Sequence, residues 1–159
     1  MSVHGDSLRW LYRGGRPSGL AKLMNRVWAR ASAAGIWPSR AGALEVRGRT
    51  SGKIISLPVV IADYEGSRYL VSMLGSGANW VHNVEAAGGR ADLCHGRREA
   101  IALVTVEPAL RAPIIRRYLE CAPGARPHIP VDRHAPLEAF DHVAAAYPVY
   151  RIEPRPDAT

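Results

Sequence analysis

Lysine is nearly missing from this chain. It occurs only at positions 22 and 53, so arginine carries almost all of the positive charge. Aromatic residues are also scarce, at 7% with a single phenylalanine. With no recognisable recognition module, a basic surface would give only non-specific attraction to nucleic acid, and no nucleic-acid partner is expected. The two cysteines, Cys94 and Cys121, form neither a metal pattern nor a disulfide framework and are expected as reduced thiols. No apolar run approaches the roughly eighteen residues of a membrane-spanning helix. Gly-x-Ser-x-Gly, Cys-His and zinc-ligand signatures are all missing, which removes the common nucleophile hydrolases and a metal site. The N-terminal MSVHGDSLRW lacks the apolar region and cleavage site of a signal peptide, so the cytoplasm is the expected compartment.

What remains is a globular composition. The chain has 159 residues, 47% of them hydrophobic, enough for one domain with a sizeable core. The formal net charge of +7 and pI near 10.0 favour anionic partners such as a membrane surface or a phosphorylated cofactor. Residues 1–40 read as a basic arm and an amphipathic helix. Ser18 suits a helix cap; Leu20, Leu23, Met24, Val27, Trp28 and Ala31 form one apolar face; Gly35 and Pro38 stop it. Between 7 and 41 there are seven Lys or Arg and no acid, a pattern that fits either peripheral contact with an anionic membrane or a helix packed on its own domain.

Residues 41–154 read as the main body. Strands are expected at 43–48, 54–62 and 68–74, with turns at RTSG and DYEG. A short helix capped by Asn79 follows, then a hairpin of 90–95 and 98–106. Pro108 opens a helix running to about Cys121; 123–136 is an irregular loop; Leu137–Ala146 is helical; PVYRIEP is the last strand. Antiparallel strands with helices in the connections predict an α+β domain, plausible as a small barrel.

Three stretches carry candidate chemistry. In EVRGRTSGK, Arg49 and Lys53 flank a turn whose N–H groups at Thr50, Ser51 and Gly52 can point outward together, a cradle for a phosphate or carboxylate; a solvated hairpin tip is the plain alternative. The spacing is not that of a Walker loop. In SMLGSGANWVHN, two glycines precede a helix N-terminus, so a ligand can approach the backbone; Trp80 offers a flat face and Asn83 lies one turn on. An ordinary strand-to-helix connection with Trp80 in the core fits as well. The loop 123–136 carries His128 and His134 with Asp132 between them, which suits acid–base chemistry better than a metal.

These blocks, LEVRGRTSGK, LPV, NWVHNVEAAG, RPHIPVD, PLEAF and PVYRIEP, follow one another in an order that resembles the deazaflavin-dependent nitroreductase family of flavin/deazaflavin oxidoreductases, found in actinobacteria. The resemblance spans about residues 20–154. It implies a split β-barrel and the cofactor F420, with FMN as a less favoured substitute. It also implies hydride transfer from the reduced deazaflavin to an electron-poor small-molecule acceptor such as a quinone, nitroaromatic or activated enone. By position, Arg49, Thr50, Ser51 and Lys53 would hold the anionic tail of F420. Pro58 and Val59 would run along the cofactor, and Ser72, Met73, Leu74, Gly75, Asn79, Trp80 and Asn83 would line the deazaflavin. His128, His134 and Tyr147 are the candidate proton donors. Split-barrel relatives are often dimers, so a homodimer is a further expectation.

The chain departs from the family pattern where Ile55 and His82 stand in place of arginines. Those two positions motivate the rival reading, a cofactor-free barrel that binds, isomerises or cyclises a lipophilic molecule in a biosynthetic pathway.

Overall fold

The β-branched run IISLPVVIADY serves two edges of one sheet. In the computed structural model, which describes residues 40–155, the expected long strand is broken at Ile61 into β2 (Ile54–Val60) and β3 (Ala62–Tyr64). β2 pairs antiparallel with β1 (Ala41–Arg47) until Val60 meets Ala41, where β1 begins and the ladder ends. Ile61 then donates its N–H to the Arg40 carbonyl at 2.7 Å, and β3 turns away to pair with β4 (Ser67–Val71). The reading of residues 1–39, including the helix from 20 and the membrane-facing stretch 7–41, lies outside the described residues.

The other strands are β5 (Arg90–His95), β6 (Arg97–Thr105) and β7 (Val149–Pro154). All pairings are antiparallel, in the order β2-β1-β5-β6-β7-β4-β3. The two edge strands are thus joined through a single residue. Laid flat, six inter-strand spacings would separate them by ~29 Å, whereas two Cα–Cα steps span at most ~7 Å. The sheet therefore curls on itself, and the fold is the expected α+β split barrel with peripheral helices.

Alternation along the strands separates two cores. Leu44, Leu70, Leu93, Ile101 and Tyr150 face the lumen, where Val81 and Val84 of helix α1 (Asn79–Ala86) pack against them. Their strand neighbours Val71 and Val149 face outward, under helices α2 (Ala112–Cys121) and α3 (Leu137–Asp141), with Ile115, Leu119, Ile129 and Phe140 filling that layer.

Local chemistry explains where the elements differ from expectation. The tight turn is Glu65-Gly66 rather than all of DYEG: both residues have positive φ (46° and 81°), as a two-residue hairpin demands, and Asp63 and Tyr64 stay in the ladder. β4 stops at Val71 because Ser72 folds over into a turn. The cap of α1 is Ala78, without a side-chain bond, and Asn79 is the first helical residue. The helix expected from Pro108 is a 3-10 turn, Pro108–Leu110, followed by α2, whose first turn accommodates Pro113. The loop 123–136 contains a 3-10 turn at Pro123–His128, and the expected helix 137–146 divides into α3 and a 3-10 turn at Ala144–Ala146.

The sheet's other face carries a buried carboxylate. Glu45 on β1, 5% exposed, is paired with Arg98 at 2.8 Å and accepts the Cys94 thiol at 3.6 Å; Arg98 also holds Asp92 at 2.9 Å. Both cysteines are free thiols, Cys121 buried and Cys94 half-buried.

Two predictions follow from this packing. Gly89 has φ +84°, and a Cβ there would lie 2.6 Å from the Leu103 carbonyl oxygen. Gly89→Ala is expected to cost about 2–4 kcal/mol, read as a lowered urea midpoint at unchanged slope. Burial and, second, the Glu45 charge push the Cys94 thiol up to about 11 from an ordinary 9.0. The unfolded chain therefore loses this proton first as pH rises. The stabilisation is complete below about pH 9 and declines between pH 9 and 11. Urea titrations at pH 8 and 10 are expected to show a shallower decline for Cys94→Ala.

Candidate functional site

Two of the motifs meet directly. The loop after β1 is closed by hydrogen bonds from Gly48 N–H to the Lys53 carbonyl (2.7 Å) and from Gly52 N–H to the Gly48 carbonyl (2.9 Å). The Gly52 N–H thus turns inward, and the cradle of three outward amides does not include it. Ser51 Oγ accepts the Lys53 N–H at 3.2 Å, and Arg47 Nη1 donates to the Gly52 carbonyl at 3.0 Å. Thr50, Ser51 and Lys53 stand exposed at the tip.

Arg49 pins this turn to α1. Its backbone N–H and its Nη1 both donate to Oδ1 of Asn83, at 3.1 and 2.8 Å, and Nη1 also reaches the Asn79 carbonyl at 3.4 Å. Asn83 is buried, and among the described residues Arg49 alone answers its amide oxygen. The guanidinium is fixed in place while keeping donors at Nε and Nη2.

The segment between β4 and α1 forms one wall of a cleft. Ser72 is buried; its Oγ donates to the Gly75 carbonyl at 2.6 Å, and its N–H to the Pro148 carbonyl at 2.9 Å. These bonds present Met73, Leu74, Gly75, Ser76 and Gly77 to a space of about 480 Å³ whose other lining is His128, Ala146 and Tyr147. That volume lies in the usual range for small-molecule sites. The Tyr147 hydroxyl donates to the His128 carbonyl at 2.9 Å, joining two of the lining segments. Leu74 is 64% exposed, an apolar side chain with little protein over it.

The cleft therefore gathers Met73, Leu74, Gly75, His128 and Tyr147 from three separate segments of the chain. Other candidates lie elsewhere. His134 stands exposed outside the lining, its N–H bonded to Asp132 and its Nε2 accepting from Arg133 Nε at 3.1 Å. Trp80 packs edge-on to Tyr150, ring centroids 5.7 Å apart, beside the lumen core. Pro58 and Val59 are half-buried on β2, and Val59 packs against the lumen core. Among the described residues no group of three His, Cys, Asp or Glu is placed to hold a metal ion, and no helix is long and apolar enough to cross a membrane.

Sequence reasoning missed Arg111. Its guanidinium, 6% exposed, donates from Nε to the Val106 carbonyl (2.8 Å) and from Nη1 to those of Ala144 (3.1 Å), Ala145 (3.5 Å) and Tyr147 (3.4 Å). Burial lowers its pKa from the ordinary arginine value. An arginine within EPALRAPII gives no sequence signal for such a role.

Asn83→Ala would strand the Arg49 guanidinium and the turn it holds. A loss of about 1–3 kcal/mol is expected, with faster hydrogen exchange at Arg49 as the local readout.

No family model matches the chain, and no curated protein matches it. Solved structures share its fold at low identity. The protein Atu2129, of unknown function, from Agrobacterium tumefaciens str. C58 is 16% identical with TM-score 0.54, over 73% of this chain and 48% of that one. An F420-H2 dependent reductase, FDR-A, is 15% identical with TM-score 0.50, over 74% and 97%. A heme binding protein from Mycobacterium smegmatis is 16% identical with TM-score 0.51, over 88% and 52%. The chain spans about half the length of the Agrobacterium protein. At these identities the likeness is one of fold: this is a split-barrel chain, built like proteins that include an F420-H2 dependent reductase.

Proposed function

We propose that the protein is an oxidoreductase that transfers a hydride from reduced F420 to an electron-poor small molecule. One observation carries the reading: the cleft and the cationic turn adjoin. Gly77 lines the cleft, and two residues later the Asn79 carbonyl receives Arg49 of the turn. An elongated ligand with a flat ring system and an anionic tail suits such a pair of sites.

The residues fit that group. Arg49 is fixed by Asn83 before any ligand arrives, which reduces the ordering cost of binding an anion. Thr50, Ser51 and Lys53 add two hydroxyls and a second cation at the exposed tip. A reduced deazaflavin held by these residues would supply a hydride to the acceptor. The chain's part is to hold the acceptor in line and exclude water. Gly75 and Gly77 let a planar ring approach the main chain, and Met73 and Leu74 give it apolar contact. His128 presents an exposed imidazole at the cleft and is the favoured proton donor; the Tyr147 hydroxyl is committed to the His128 carbonyl.

Titration with oxidised F420, followed by quenching of its fluorescence with FMN in parallel, tests the reading. Saturable micromolar or tighter binding is expected, and Arg49→Ala/Lys53→Ala should raise the dissociation constant at least tenfold, since each charge-assisted contact is worth about 1–3 kcal/mol. Ile55, 42% exposed where the family pattern has an arginine, favours the second reading. If neither cofactor binds, the cleft belongs to a cofactor-free protein for a lipophilic ligand.

A further inference from the structure

Arg111 is unusual in its company. It is a buried cation whose hydrogen bonds run to main-chain carbonyls, with no carboxylate among its partners in the described residues. Buried charges are ordinarily paired, because an isolated one is costly to desolvate. Four carbonyl dipoles converging on one planar guanidinium repay that cost only while all four keep their positions.

Three of those carbonyls, on Ala144, Ala145 and Tyr147, belong to one short stretch that includes Ala146, a lining residue of the cleft. The Ala145 and Tyr147 carbonyls lie at the end of a 3-10 turn, where acceptors lack partners within the turn and a cation is favourable, while the Ala144 carbonyl also accepts the Tyr147 N–H at 3.3 Å. The fourth, on Val106, anchors the guanidinium to the chain just beyond β6, and Val106 N–H in turn donates to the Val149 carbonyl of β7 at 2.9 Å. The barrel wall is thereby tied to the 144–147 segment through one side chain. The ties continue across the cleft. Tyr147 reaches the His128 carbonyl, Pro148 receives the Ser72 N–H, and a Cβ on Gly75 would lie 3.2 Å from the Ala146 carbonyl oxygen. The other two lining segments are therefore registered against the stretch that Arg111 holds.

We infer that Arg111 is a positioning residue that sets the width of the acceptor cleft and so the range of acceptors it admits. The inference rests on the oxidoreductase reading for its kinetic consequence. Its mechanical content, the placement of Ala146 and Tyr147, is independent of that reading. The anionic tail site at Arg49 and Lys53 is held by a separate set of bonds through Asn83, so the two functions of the molecule are separable.

The test uses the full chain with Arg111→Lys, which keeps the charge but loses the planar fork, and Arg111→Met, which loses both. Hydrogen exchange at Ala146, Tyr147 and His128 is expected to rise at least tenfold in Arg111→Lys, while amides in β1 and β5 keep their protection. The F420 dissociation constant is expected to rise less than in Arg49→Ala/Lys53→Ala, since the tail contacts are untouched although the ring shares the cleft. For acceptors, KM for the slimmest should rise about tenfold with kcat changed less than threefold, and the ratio of kcat/KM between slim and bulky acceptors should fall. Uniformly raised exchange, or a lowered melting point with an unchanged KM and selectivity ratio, would make Arg111 a general stabiliser and overturn the inference. If Arg111→Lys is as well protected at 146–147 as the parent, the inference also fails. Should Arg111→Met not fold, the lysine variant alone decides. Absence of F420 binding in the parent would remove the oxidoreductase reading and leave the exchange result to judge the placement.

Discussion

One residue, Ile61, stands between the two edges of the sheet, and the molecule's shape depends on that short link. A seven-stranded sheet with independent edges could twist open. Here both edge strands belong to one continuous run, so curvature is obligatory and a lumen exists before any side chain is chosen to fill it. Leu44, Leu93 and Ile101 then have an inside to face, and α1 has an interior to seal. The outer layer of α2 and α3 is the complement, covering the opposite face of β4 and β7, which curvature turns outward.

The site arises from the same geometry. The chain leaves the barrel after β4, crosses as 72–77 and returns as α1. The crossing segment forms the cleft wall, and the return places Asn83 against Arg49. The candidate site is thereby placed on loops, while its precision comes from the strands and helix at either end. Arginine's dominance over lysine also acquires a structural meaning. Arg47, Arg111, Arg117 and Arg126 each donate to main-chain carbonyls, a task for which a planar fork of donors is better shaped than an ammonium.

Much of this was legible in residue patterns and some was not. Alternation placed the β5–β6 hairpin and β7 almost to the residue, because polarity there changes with a period of two. The break at Ile61 was invisible, since β-branched residues continue through it; it is imposed by where β1 begins. Helical pattern alone could not separate Pro108–Leu110 from α2 or α3 from Ala144–Ala146, for a 3-10 turn and an α-helix share their early residue preferences. The family resemblance named Met73–Gly75, His128 and Tyr147 together with His134 and Trp80; the first group lines the cleft and the other two stand outside its lining, a placement that loop folding and core packing decide. Arg111 left no trace at all, as three of its four carbonyl acceptors lie more than thirty residues away.

The two cores have no buried residue in common, and the cleft opens beside the outer one, where Met73 and Tyr147 of its lining pack. Met73 packs against the outer core, whereas Ala78 and Trp80, a few residues on, pack against the lumen. The two cores are nonetheless not independent units, because β4 and β7 serve both: Leu70 and Tyr150 point inward, Val71 and Val149 outward. A substitution that loosens either layer is therefore passed to the other through the strands they share.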